Sequence, residues 1–306
     1  MISTEFCGIR MRSPTVLASG VLGVTRSSLV NVAKHGAGAL TIKSISKEQR
    51  AGHNNPILLT YEAGMLNAVG YSNPGIAAAK EEFKDLKDVG APVFASIIGS
   101  TAPDFGYMAE HLVGKGNRLG FSAVEIALSC PHTPGFGLLA GQGTPVATAK
   151  ITKAVKSSTK LPVIVKLSPN IPNLAEVALA AQKAGADAIN MGNTHGPGMV
   201  INIETRQPVL DFKMGGVSGP AIRPISVRCV YDLYKAVNIP IIGTGGVCTW
   251  HDAVEMIMAG ATVVGVGSGV YYEGLTVFRK INRGIERFMK EQSYKSIEEM
   301  VGVSHG

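Results

Sequence analysis

The sequence has little charge, few aromatic side chains and no long apolar run. Asp, Glu, Lys and Arg make up only 17% of it, and aromatics only 6%. Nothing approaches the ~18 consecutive apolar residues of a membrane span, so no membrane partner is expected. The first seven residues lack a basic segment followed by an apolar one, so no secretory signal is expected either. The formal charge of +7 is spread without a basic run or interleaved aromatics, which argues against nucleic acid. None of the four cysteines, Cys7, Cys130, Cys229 and Cys248, falls in a CxxC pair. That spacing gives no zinc or iron–sulfur site and no metal ligand set, and it suits reduced thiols in the cytoplasm.

What is present is aliphatic residues and glycine. The chain is 45% hydrophobic and carries Gly 37 in 306 residues, well above the usual ~7%. No low-complexity tract absorbs those glycines, which places them in tight βα turns or against a ligand. Short apolar runs at 15–19, 39–43, 93–98, 123–128, 163–167, 188–191, 241–244 and 263–267 alternate with stretches of helical spacing. Ala-Gly-Ala closes two of those stretches, at Ala184 and at Ala259, as a glycine just past a helix does. Eight βα units with right-handed crossovers predict an α/β fold, a (β/α)8 TIM barrel, as one domain over 1–306. Two polar, glycine-rich stretches, 49–73 and 192–220, follow strand ends and are expected over the C-terminal mouth. The second holds a strand-like patch at 199–203, and an amphipathic helix at 278–291 is expected to close the outer ring.

The chemistry-bearing residues gather at those strand ends. Ser129-Cys130-Pro131-His132 ends the run 123–128 with a thiol followed by a proline that cannot extend the ladder. In a barrel such a thiol faces the site, and Cys130 is expected to act as a catalytic base. Lys43 and Lys166 each close an apolar strand and need an anion or solvent. Gly243-Thr244-Gly245-Gly246 and Gly265-Val266-Gly267-Ser268-Gly269 end the last two strands, where barrels commonly bind phosphate. Asn67, Asn193 and Thr194 bring amides and a hydroxyl suited to a pyrimidine edge. Gly135-Phe136-Gly137-Leu138-Leu139-Ala140 sits in a loop rather than a strand–turn–helix, so it is not a nicotinamide site.

These residues together resemble the dihydroorotate dehydrogenase family, class 1, and especially archaeal class 1B catalytic subunits. The likeness runs through Leu17-Ala18-Ser19-Gly20, Lys43-Ser44, Gly64-Met65-Leu66-Asn67, Ser129-Cys130-Pro131, Val165-Lys166-Leu167-Ser168-Pro169-Asn170, Asn193-Thr194 and Gly243-Thr244-Gly245-Gly246. It implies an FMN-dependent oxidation of dihydroorotate to orotate in pyrimidine biosynthesis. Ala18, Ser19, Lys43, Ser44 and Lys166 would meet the flavin ring, and Gly219, Gly245, Gly246, Gly267 and Ser268 its ribityl phosphate. Lys43, Asn67, Asn193 and Thr194 would contact dihydroorotate. Cys130 would take a proton from C5 while C6 gives a hydride to flavin N5, with Lys43 also in the catalytic set. The resemblance further implies a partner subunit carrying FAD and a 2Fe-2S cluster, with NAD as final acceptor only through it. A homodimer or heterotetramer would follow.

The sequence departs from the family pattern at Ala127 and Ser96, each where asparagine is usual, and at His132. Ser129-Cys130-Pro131-His132 also suits a dihydropyrimidine dehydrogenase of the dihydrouracil type, which stays open as the alternative.

Overall fold

A computed structural model describes residues 2–114, 116–128, 135 and 137–306, without the side chain of Leu139. The chain starts with a small antiparallel hairpin, β1 (Thr4–Phe6) and β2 (Ile9–Met11). β3 (Thr15–Leu17), α1 (Arg26–Lys34) and β4 (Ala39–Thr41) follow. Then come β5 (Leu58–Tyr61), β6 (Gly64–Asn67), α2 (Gly75–Glu82), β7 (Val93–Ile97), α3 (Ala102–Val113) and β8 (Ala123–Ala127). The central part holds α4 (Pro145–Ser158), β9 (Val163–Leu167), α5 (Leu174–Lys183) and β10 (Ala188–Met191). Four short strands come next: β11 (His195–Gly198), β12 (Ile201–Asn202), β13 (Gln207–Pro208) and β14 (Gly215–Ser218). The chain finishes with α6 (Arg223–Ala236), β15 (Ile241–Thr244), α7 (Trp250–Met258), β16 (Val263–Val266), α8 (Gly269–Glu273) and α9 (Val277–Glu291).

Strands β3, β4, β7, β8, β9, β10, β15 and β16 close into a parallel barrel, as the alternation of apolar runs predicts. Helices form where local signals agree with the pattern. Thr101 and Thr249 cap α3 and α7: each hydroxyl accepts from the backbone N–H of an aspartate three residues on, Asp104 or Asp252, whose carboxylate accepts from the threonine N–H in return. The main core lies between the outer faces of the strands and the surrounding helices, and includes Leu40, Ile126, Val165 and Val264.

Inside the barrel the two-residue strand period builds tiers. Val16, Ala39, Phe94, Ala123, Ile164, Ala188, Ile242 and Val263, one from each barrel strand, form an apolar floor. Phe6 and Met11 of the N-terminal hairpin plug it from below, with the Phe6 and Phe94 rings 6.3 Å apart. Two residues further along the strands, the inward positions turn polar: Ser96, Glu125, Lys166, Asn190 and Thr244.

The two long stretches over the mouth are not structureless. They supply β5, β6, β11 and β14, which join as a four-stranded sheet in the order β11-β14-β6-β5. Of the strand-like patch at 199–203 only Ile201 and Asn202 form a strand, β12, paired with β13, while β11 ends before it at Gly198. Barrel strands also stop earlier than several apolar runs. β3 ends at Leu17 and β4 at Thr41, because Ser19 and Lys43 leave the ladder to face the mouth. Among the described residues no helix is long and apolar enough to cross a membrane.

Phe94 is fully buried in the barrel floor against the Phe6 plug, where little can relax around it. Phe94→Ala is expected to lower the unfolding free energy by about 3–5 kcal/mol. Urea or guanidinium unfolding measures this, and a loss below about 1 kcal/mol would show that the plug does not carry the barrel floor.

Candidate active site

Above the polar tier the barrel opens into two adjoining cavities, of about 330 Å³ and about 120 Å³. They share Ser19, Asn67, Lys166, Asn193 and Thr194 in their walls. The larger adds Ala18, Ser218, Gly219, Gly245, Gly246, Gly267 and Ser268, the smaller Lys43, Ser44 and Ala127. All the site residues expected from sequence that lie among the described residues therefore line one continuous space. Cys130, with Ser129, Pro131 and His132, lies outside the described residues.

The mouth sheet brings in the amides. β6 pairs with β14 so that Asn67 sits opposite Gly216, and its Nδ2 donates to the Gly216 carbonyl at 3.4 Å. Thr194 packs against the same glycine, where a Cβ would come within 2.0 Å of its hydroxyl. The Thr194 backbone N–H donates to Asn193 Oδ1 at 2.7 Å. One side of the smaller cavity is thus a surface of amide and hydroxyl groups.

The wall below is a hydrogen-bonded network centred on Glu125, which is fully buried. Its Oε1 accepts from the Ser19 hydroxyl at 2.8 Å and the Ser96 hydroxyl at 3.1 Å. Its Oε2 accepts from Asn190 Nδ2 at 2.6 Å, and Asn190 Oδ1 accepts from the Thr244 hydroxyl at 2.9 Å. Lys166 Nζ stands 3.7 Å from Glu125 Oε1 and donates to Ser19 Oγ at 2.8 Å. Ser44 and Ser96 hydroxyls meet at 2.9 Å. Gly265 leaves room for this arrangement, since a Cβ there would fall 2.0 Å from the Thr244 hydroxyl.

The two lysines consequently differ in kind. Lys166 is buried and paired with a carboxylate. Lys43 reaches into the smaller cavity with no acidic partner among the described residues, and burial pushes its pKa below the ordinary lysine value.

At the other end of the larger cavity small residues dominate. Gly245 has φ +130°, which only glycine adopts readily, and Gly246 follows with φ +76°. Behind them Asp252 accepts from the backbone N–H groups of Cys248 at 3.0 Å and Thr249 at 2.7 Å. It also pairs with Arg223 on α6. Burial works against the charge of Asp252, yet these hydrogen bonds hold its pKa below the usual carboxylate range.

A family model described as dihydroorotate dehydrogenase matches residues 1–289. The chain belongs to the dihydroorotate dehydrogenase family. This is a family of flavoenzymes, and curated members match along essentially the whole chain. The protein of Methanothermobacter thermautotrophicus named dihydroorotate dehydrogenase B (NAD(+)), catalytic subunit, is 43% identical over 306 residues, covering 100% of this chain and 99% of that one. Proteins of the same name from Pyrococcus abyssi and Methanosarcina mazei are 42% and 44% identical, covering 99% and 97% of this chain and 99% and 93% of theirs. The name of these relatives speaks of a catalytic subunit and so of a separate partner subunit in them. A solved dihydroorotate dehydrogenase from Eimeria tenella, in complex with ferulenol, superposes with TM-score 0.84 at 21% identity, over 99% of this chain and 88% of that one. It shares the barrel fold.

Within this family frame, sequence reasoning passed over Glu125 and Thr244 as site residues. Glu125 had a legible signal, a single charge inside the otherwise apolar run 123–128. Such a residue must be buried with partners or break the strand. Asn190 does not take the place of an amide at Ala127. It is 2% exposed and both ends of its amide are committed to Glu125 and Thr244.

Removing Lys166 alone leaves the Glu125 carboxylate buried without a cation. Lys166→Met is expected to cost about 3 kcal/mol in unfolding free energy. Combining it with Glu125→Leu should return part of that loss, and a double-mutant cycle with no coupling would refute the pairing.

Proposed function

We propose that this chain oxidises dihydroorotate to orotate with FMN as its redox cofactor, and does so as one barrel domain spanning 1–306. The observation that carries this reading is the difference between the two lysines. Glu125 offsets the charge of Lys166, whereas Lys43 brings into the smaller cavity a cation with no acidic partner among the described residues. A buried lysine short of a counter-ion favours an anionic ligand, because the anion restores the charge that burial opposes. Dihydroorotate has a carboxylate and dihydrouracil does not. The substrate therefore belongs in the smaller cavity, its carboxylate on Lys43 and its urea-like edge on Asn67, Asn193 and Thr194.

The larger cavity suits a flat ring with a phosphate tail. Its glycine end offers backbone approach through Gly219, Gly245, Gly246, Gly267 and the hydroxyl of Ser268. Its other end offers Ala18, Ser19 and the Lys166 ammonium, with Lys43 and Ser44 adjoining. FMN supplies the hydride acceptor when bound. Lys166, as a donor on the wall, favours negative charge on a ligand ring. Cys130 is assigned by family resemblance to remove the C5 proton, a task suited to a thiol with an ordinary pKa of about 8.5.

The electrons must then leave through a surface. Val21, Leu58 and Tyr271 edge the larger cavity and are 44%, 46% and 56% exposed. That apolar rim suits cover by a partner, and we assign the partner as a subunit bearing FAD and a 2Fe-2S cluster, in a homodimer or heterotetramer. A cytoplasmic location fits the unpaired thiols Cys7, Cys229 and Cys248.

Purified protein should take up FMN and turn yellow, and anaerobic dihydroorotate should bleach it faster than dihydrouracil does. The reverse ranking transfers the assignment to the dihydropyrimidine type, and a preparation that takes up no FMN overturns the flavin assignment itself. Cys130→Ala should retain flavin yet be reduced at least about 100-fold more slowly. Stopped-flow bleaching at the wild-type rate would remove Cys130 from the mechanism.

A further inference from the structure

We infer that Glu125 is a positioning residue that sets the hydrogen-bond direction of the cavity walls, making Ser19, Ser44 and Thr244 acceptors toward any ligand. An ionised carboxylate only accepts, a lysine ammonium only donates, and each hydroxyl has one hydrogen to give. Those three rules orient the whole network from its centre.

Lys166 Nζ donates to Ser19 Oγ, so the single Ser19 hydrogen goes to Glu125 Oε1. The Ser96 hydrogen goes to the same oxygen, so in the contact between the two serines it is Ser44 that donates to Ser96. Glu125 Oε2 takes Asn190 Nδ2, which turns the Asn190 oxygen to Thr244 and draws the Thr244 hydrogen away from the cavity. Ser19 and Thr244 line the larger cavity and Ser44 the smaller. Each therefore presents lone pairs inward, while Lys166 presents N–H. Glu125 itself lines neither cavity and is 0% exposed, so it acts only through these partners.

The carboxylate has a second effect through charge. It offsets Lys166 and leaves Lys43 as the cavity cation without an acidic partner among the described residues. In Glu125→Gln both effects change together. A Gln amide nitrogen at the Oε1 position donates to Ser19 and frees the Ser19 hydrogen. At the Oε2 position it turns Asn190 over and frees the Thr244 hydrogen. Either way at least one lining hydroxyl becomes a donor, Ser44 following through Ser96 when the nitrogen takes the Oε1 position, and the wall loses a negative charge.

Two experiments test this, and the first is independent of the proposed function on which the second rests. Neutron diffraction from deuterated crystals of the wild-type chain should show the Ser19, Ser44 and Thr244 deuterons on Glu125, Ser96 and Asn190. A deuteron pointing into a cavity at any of the three overturns the inference. The second loads wild type and Glu125→Gln with FMN and titrates sulfite, an anion whose affinity for a bound flavin reports neighbouring positive charge. Glu125→Gln should bind sulfite about tenfold more tightly and shift the flavin visible band. Affinity within twofold of wild type with an unchanged band overturns the inference, and if the variant does not fold the neutron map decides. A wild-type chain that takes up no FMN counts against the proposed function and leaves the neutron result standing.

Discussion

A carboxylate excluded from water inside a barrel is tolerable only when its acceptor positions are filled and its charge is answered. Glu125 meets that condition with hydrogen bonds from Ser19, Ser96 and Asn190 and with the Lys166 ammonium nearby. These partners come from separate strands or strand ends around the barrel. The requirement of one side chain therefore fixes the inward-facing chemistry of the middle tier. Ser19, Lys166 and Thr244 reach the cavities already oriented by it.

The tier works because of what lies below and above it. Below, the apolar floor and the Phe6–Met11 plug keep water from reaching Glu125 from the N-terminal end. Above, the mouth sheet folds Asn67 and Thr194 over the opening and divides the space unequally. The larger part runs from the Lys166 ammonium to a glycine end suited to phosphate, and the smaller adds Lys43, without an acidic partner among the described residues, beside the amides. A barrel of parallel strands delivers this division directly, since residues two apart on a strand lie one tier above another on the same wall.

The departures at Ser96 and Ala127 have different weights in this frame. Ser96 is absorbed by the network, where its hydroxyl supplies Glu125 and receives Ser44. Ala127 puts a methyl group in the wall of the smaller cavity, and no amide of the described middle tier takes its place, because Asn190 is committed behind it. Under the proposed assignment, discrimination in that cavity rests on Lys43, Asn67, Asn193 and Thr194.

The barrel was legible in the chain because its strands are short apolar runs buried on both faces, separated by helix-spaced stretches and closed by glycine turns. Lys43, Lys166 and the glycine turns were legible for the same local reason, as polar or small residues at the ends of those runs. Lys43 and Lys166 look alike in sequence, each closing a strand, and their difference in charge balance was not legible. It depends on Glu125, which is 41 residues from Lys166 in the chain and 3.7 Å from it in space. The joining of 49–73 and 192–220 into one sheet was also hidden, since strand pairing between distant segments leaves no periodic trace in either. Local pattern determined which residues could reach the mouth. Packing around the barrel axis decided which of them face each other, because hydrogen bonding and charge compensation act through distance in space and not along the chain.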